Sequence, residues 1–293
     1  MESISGTELY CWYQKAKRAA IASNIDPNEL SWLVQTVTSL DKLALSLGTF
    51  QQQQINSSKS LSELNRLWQQ RLQERLPVQY LVEAVYWRRF RLKVTPAVLI
   101  PRPETELIID IAQENNLITA SQQHWVDLGT GSGAIALGLA DVFPQATVHA
   151  VDLSLDALEV AQKNAVDLNL AEQIHFYHGS WWSPLESYRG KITGMLANPP
   201  YIPTAQLNTL QPEVANHEPH LALDGGEDGL DDIRSLIQTA PNYLVSGGIW
   251  LVELMTGQAH TVAQLLKQQG EYYDIKIFSD LSGIQRFVIA YRC

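Results

Sequence analysis

Cysteine is nearly absent: 293 residues hold two, Cys11 and Cys293, far apart in the chain. That excludes a disulfide framework and any Cys-rich zinc module. No uncharged apolar run reaches the roughly 18–20 residues of a membrane span. The first twenty residues lack a basic stretch followed by an apolar one, so no secretory signal is expected. Positive charge is in deficit, with 21 Lys and Arg against 31 Asp and Glu and a net charge of −10. A chain that holds nucleic acid through its overall field is therefore not expected. What is present is an ordinary globular balance, 45% hydrophobic and 18% charged, which excludes wholesale disorder. The length suits one large domain or two ordinary ones. These features together predict a soluble, cytoplasmic protein away from membranes, and nothing calls for an obligate oligomer, so a monomer is expected.

The charge is unevenly spread. Residues 1–103 carry 13 Lys and Arg against 8 Asp and Glu, a balance of +5, whereas residues 104–293 stand at −15. Such asymmetry suggests two modules. The first reads as helical. Leu30, Leu33, Val34, Val37, Leu40, Leu43 and Leu45 recur at helical spacing behind an Asp26-Pro27 start, and Leu61 to Leu76 repeat the pattern up to Pro77. The four glutamines at 51–54 read as a polar loop or helix end. Residues 79–99 change character: Tyr80, Val82, Val85, Trp87, Phe90 and Leu92 predict short strands in a hairpin. In LIPRPETE, residues 99–106, Pro103 and the acids after it predict a helix start. The expected organisation is a helical domain over 1–77, a β-hairpin linker over 78–103 and a third region over 104–293.

From residue 107 strands and helices alternate, with strands expected at His124–Leu128, Thr147–Asp152, Ile174–Tyr177, Ile192–Ala197, Ile249–Leu254, Tyr273–Phe278 and Phe287–Tyr291. A helix is expected over Leu155–Leu168 with Ser154 as cap. This alternation implies an open, mostly parallel α/β sheet that binds ligands beyond the carboxyl ends of its strands.

The first of these strands runs into Gly129-Thr130-Gly131-Ser132-Gly133 and then an apolar helix. Glycines at alternate positions let backbone approach a ligand closely at a helix N-terminus. Asp152, nineteen residues beyond Gly133 at the end of the next strand, can accept both hydrogen bonds of a ribose diol. The loop with Asp152 fits S-adenosylmethionine, a nicotinamide dinucleotide, or a tight structural turn with no ligand.

Residues 198–201, Asn198-Pro199-Pro200-Tyr201, follow the fourth strand directly. The prolines stiffen the segment and bring no N–H donors, so its carbonyls are free to point into a cleft. Asn198 adds a side-chain carbonyl and Tyr201 a flat, amphipathic wall. Two acceptors, Asn198 and the Pro199 backbone carbonyl, would hold both N–H bonds of a planar NH2 group. They would orient its nitrogen toward a methyl donor and favour positive charge on it. That chemistry suits a carboxamide or an aminopurine.

With these pieces in place, the chain resembles the HemK/PrmC family of class I methyltransferases, which methylate the amide nitrogen (N5) of a glutamine in peptide chain release factors. The similarity rests on QYL at 79–81, LIPRPETE, DLGTGSG at 127–133, NPPYI at 198–202, EPHLALDGGEDGLD at 218–231, and the tail pattern Asp280, Gly283, Arg286. It implies a Rossmann-like, seven-stranded catalytic sheet with one strand reversed, preceded by a small helical domain and a hairpin, and a role in translation termination at a Gly-Gly-Gln motif. S-adenosylmethionine would be held by Gly129 to Gly133, Asp152, Trp181 beside its adenine, and Asn198. The target glutamine would be held by Asn198, Pro199, Pro200 and Tyr201. Ser180 stands where many relatives have an acid, and Glu83 where a glycine is usual. Two other readings stay open. One is a nucleic-acid adenine N6-methyltransferase, which the acidic second half disfavours; the other is a binding module that keeps the fold without catalysis.

The remaining candidates have plainer readings. His217 and His220 lack an obvious third metal ligand, and no metal site is expected. Arg88, Arg89, Arg91 and Lys93 read equally as a docking patch or a solvated hairpin edge. Asp224 and the GGEDGL turn are candidates to brace the NPPY segment.

Overall fold

The computed structural model describes residues 2–118 and 123–293 and divides into two compact units. The first comprises Met1–Glu83 with Pro212–His217, the second Ala84–Gln211 with Glu218–Cys293.

The first unit is helical. Its helices Gly6–Ala22, Pro27–Val37, Lys42–Leu47 and Leu61–Gln73 bury one apolar core that includes Leu9, Leu30, Leu33, Leu64 and Trp68. Asp26 caps the second by accepting from Asn28 N at 2.9 Å, with Pro27 in its first turn. The fourth starts in a capping box, where Ser60 and Glu63 satisfy each other's backbone N–H groups. The leucine periodicity breaks after Val37, so the expected single run is two helices. Of the four glutamines, residues 51–53 form a turn, as a polar loop requires, whereas Gln54 opens the strand Gln54–Ser57. That strand pairs antiparallel with Glu2–Ser5, a long-range pairing that local pattern does not announce. The segment Pro212–His217 belongs to this unit, with Glu213 2.9 Å from the buried Arg71 guanidinium, which also pairs with Glu29.

Residues 78–82 form a helical turn rather than the expected strand. It ends on Glu83 in the left-handed region at φ 50°, a conformation that costs a glycine little and explains why glycine suits the position. The hairpin itself, Val85–Trp87 with Phe90–Leu92, falls in the second unit.

The second unit holds a seven-stranded sheet. Its strands are β1 (His124–Leu128), β2 (Thr147–Asp152), β3 (Ile174–His178), β4 (Ile192–Ala197), β5 (Leu244–Glu253), β6 (Tyr272–Ser279) and β7 (Gln285–Arg292), in the order β3-β2-β1-β4-β5-β7-β6. The first five are parallel. The last strand, β7, inserts antiparallel to both β5 and β6, the reversal that the resemblance implied. The helices α1 (Leu107–Asn115), α2 (Ala134–Val142), α3 (Leu155–Asp167), α4 (Asp231–Thr239) and α5 (Ala259–Gln269) cover it. Strands β1, β2 and β4 are almost wholly buried, as parallel strands covered on both faces must be. The expected strand at Ile249–Leu254 starts earlier and stops at Glu253, leaving Leu254 beyond its end.

Strand order reverses between β1 and β4, the switch point where such sheets bind ligands. Leu128 and Ala197 are register partners there, so the glycine loop and the NPPY segment leave the sheet side by side.

Candidate active site

One cavity of about 290 Å³ opens at that switch point. Gly129, Thr130, Gly131, Ser132, Asp152, Ser180, Trp181, Asn198 and Pro200 line it, with Thr105 and Asp232. Gly133, Pro199 and Tyr201 do not line it.

The glycine loop is fixed from behind. Asp127, fully buried on β1, accepts from the Thr130 hydroxyl at 2.5 Å and from Ala136 N at 3.0 Å, and its other oxygen has no partner among the described residues. Burial pushes its carboxyl up to about 7 against those two bonds. Asn164 of α3 donates to the carbonyls of Ser132 and Lys93 and accepts from Lys93 N, tying the loop to the chain just beyond the hairpin. Gly133 sits at φ 86° as the residue before α2, and a Cβ there would lie 3.1 Å from that of Ala161. That close approach serves the packing of α2 against α3.

Asp152 accepts from Gly131 N at 2.8 Å through Oδ2 and from Ser154 N at 2.9 Å through Oδ1. Burial raises its pKa, offset by these N–H groups. Each oxygen keeps a lone pair, so the carboxylate still faces the cavity as an acceptor. Trp181, at φ 48°, donates its indole N–H to Asp232 on α4 at 3.0 Å and spans the floor near Gly129.

On the other wall, Asn198 donates Nδ2–H to the Thr105 hydroxyl at 3.4 Å, which leaves Oδ1 as its free acceptor. No hydrogen bond among the described residues ends on the Pro199 carbonyl. The NPPY segment is braced by the GGEDGL turn: Ile202 N donates to Leu223 O at 3.0 Å, and Gly225 N to Ile202 O at 2.9 Å. Asp224 secures that turn by accepting from the Thr204 hydroxyl and Gly226 N, and Gln258 donates to the carbonyls of Tyr201 and Gly229. Tyr201 packs against the core of the unit, and burial together with Glu253 raises its phenol. Its place is inside the loop's support.

In the basic cluster, Arg88 pairs with Asp110 and bonds Glu106, and the exposed Arg89 pairs with Asp141. Among the described residues no cluster of three or more His, Cys, Asp or Glu side chains could hold a metal, and no helix is long and apolar enough to cross a membrane. The motifs assign no role to Asp127, Thr105, Asn164, Asp232 and Glu253. The first two stand within quoted motifs, so a signal existed; the others are brought to the site by folding alone.

The reversed seventh strand, the glycine loop and the acid at the end of β2 define a class I methyltransferase fold. A model of the methyltransferase small domain matches residues 105–227. The chain is 53% identical to the release factor glutamine methyltransferase of Synechocystis sp., covering 98% of this chain and 97% of that one. It is 45% identical to the one of Thermosynechococcus vestitus, covering 98% and 99%. A solved structure of the hMettl16 catalytic domain shares the fold at a TM-score of 0.57 and 13% identity, covering 89% of this chain and 92% of that one. The chain belongs to the release factor glutamine methyltransferase family.

Proposed function

We propose that the protein transfers a methyl group from S-adenosylmethionine to the side-chain amide nitrogen (N5) of the glutamine in the Gly-Gly-Gln motif of peptide chain release factors. The observation that carries this reading is the single cavity that joins Asp152 and the glycine loop to Asn198.

The residues fit the cofactor. The cavity offers carboxylates at Asp152 and Asp232 for hydroxyl and amino groups, with the flat Trp181 indole as a wall. A Cβ at Gly131 would meet nothing within 4 Å, so the backbone there borders open space. Asp152 would take the ribose hydroxyls, Gly129 to Ser132 the methionine part, and Trp181 the adenine. When bound, S-adenosylmethionine supplies an electrophilic methyl group on a sulfonium.

The chain's own chemistry concerns the nitrogen. A carboxamide nitrogen is a weak nucleophile because its lone pair is delocalised. Asn198 Oδ1 and the Pro199 carbonyl would accept its two N–H bonds, orient it and favour the positive charge it gains. The methylated nitrogen is acidic enough to lose its proton without a strong base. Pro200 would border the substrate, and Tyr201 would hold the loop that presents it. Residues 1–77 would dock the release factor, with 78–103 as a linker to the catalytic region 104–293, in a cytoplasmic monomer.

Methyl-labelled cofactor with a release factor bearing the Gly-Gly-Gln loop tests this. Label is expected on the intact factor and not on one whose glutamine is replaced by alanine. Label that persists after that replacement, or label on nucleic-acid adenine instead, overturns the reading.

A further inference from the structure

An asparagine amide can face a cleft with its oxygen or its nitrogen, and only the oxygen can accept an N–H bond. The orientation of Asn198 must therefore be imposed by what lies behind it. Its Nδ2 points to the hydroxyl of Thr105, which is buried and stands in the 3-10 turn Glu104–Glu106 ahead of α1. That hydroxyl neighbours the Glu253 carboxyl at the end of β5 and stabilises its charged form. Glu253 is itself buried, and its Oε2 has no hydrogen-bond partner among the described residues.

With Glu253 ionised, these groups admit one consistent arrangement. An ionised carboxylate only accepts, so the hydroxyl beside it turns its one proton toward Glu253. Thr105 is then only an acceptor toward Asn198, and Asn198 must offer it Nδ2–H. The oxygen of Asn198 is left for the cavity. Two buried groups and the half-buried Asn198, on three segments remote in sequence, thus pass one direction of hydrogen bonding outward from the end of β5.

We infer that Thr105 and Glu253 are positioning residues for the methyl transfer: a one-way relay, Glu253 to Thr105 to Asn198, turns the carbonyl oxygen of Asn198 toward the substrate nitrogen. This rests on the function proposed above. A glutamine at 253 could donate to Thr105, release the Thr105 proton toward Asn198 and let the amide turn over, so that NH2 faced NH2 in the cleft. Acid would do the same to the natural protein. Burial pushes Glu253 up to about 7, opposed by Thr105, Arg286 and Arg102, while Glu104 adds to the rise; Tyr201 is the remaining titratable group close by. Arg286 is held there by Asp280, which accepts from its Nε at 2.8 Å and from the backbone N–H of Ser282 and Ile284.

The test compares full-length wild type, Glu253→Gln, Thr105→Val, Thr105→Ser and the Glu253→Gln/Thr105→Val double variant. The release factor is the methyl acceptor, and cofactor affinity is measured separately by calorimetry. Glu253→Gln is expected to lower kcat about 10²-fold, the scale of losing one oriented polar contact at a reacting centre, with cofactor affinity nearly unchanged. Its kcat should be flat with pH, whereas wild-type kcat falls as pH drops through about 7. Thr105→Val should show a similar loss, Thr105→Ser should recover most of it, and the double variant should be no worse than either single one. Full activity of Glu253→Gln or Thr105→Val overturns the relay. So does a loss that tracks falling cofactor affinity and melting temperature together. Absence of transfer by the wild type itself would overturn the proposed function and the relay with it.

Discussion

The backbone N–H of Gly131 donates to Asp152 Oδ2 at 2.8 Å, so the middle of the glycine loop is clamped by the acid that ends the neighbouring strand. One carboxylate thereby shapes the loop and faces the cavity. Replacing Asp152 with alanine removes both roles. Hydrogen bonds to a charged group are worth about 1.5–3 kcal/mol each, so S-adenosylmethionine affinity should fall by about 10–100-fold or more. Calorimetry of wild type and variant checks it; unchanged affinity would remove Asp152 from the cofactor site.

Asn198→Ala should cut methyl transfer by about 10²–10³-fold, the range for losing one oriented group at a reacting centre. Among the described residues its side chain makes one hydrogen bond, the long one to Thr105, so little stability should be lost. Labelled transfer and thermal melting, measured on one preparation, separate the two effects.

Two glycines of one loop should respond differently to alanine. Both Gly131 and Gly133 have positive φ, a backbone cost of roughly 1–2 kcal/mol for any L side chain. At Gly133 the new Cβ also presses on Ala161 at 3.1 Å, whereas at Gly131 it enters open space. Gly133→Ala should therefore lower the denaturant midpoint more, and Gly131→Ala should weaken cofactor binding more. Chemical denaturation paired with calorimetry would expose a reversed ranking.

Acid should destabilise the fold through a histidine that takes no part in the proposed chemistry. His149, wholly buried on β2, lies 3.0 Å from His124 and 3.1 Å from the Tyr177 hydroxyl. Burial, with His124 and His175 nearby, pushes its pKa down to about 3 from an ordinary 6.5. The unfolded chain takes up a proton below about 6.5 that the folded chain refuses until about 3. The stability contributed by neutral His149 is therefore complete above about 6.5 and declines as pH falls from there toward 3. The urea midpoint of wild type should drop between pH 7.5 and 5, and His149→Gln should show a smaller drop over that interval.

The sequence by itself determined the second unit's strands nearly in full. Periodicity and punctuation located all seven strands, three of them with the bounds observed, because buried parallel strands read as short apolar runs between glycine and polar turns. Ser154 and Asp26 announced their helices because a cap is satisfied within three residues of itself. The glycine loop, Asp152 and Asn198 were legible for the same reason: each stands at a strand end, a position that local pattern fixes. What tertiary structure alone decided is everything that depends on distant partners. The pairing of Glu2–Ser5 with Gln54–Ser57, the use of Gly133 against Ala161, the packing of Tyr201 against the core and the Trp181–Asp232 contact all join residues tens of positions apart. Most telling is the order in which strands assemble. Placing β4 against β1 sets Ala197 beside Leu128 and closes a cavity between motifs nearly seventy residues apart. Side-chain periodicity states which face of a strand is buried, but not which strand will cover it.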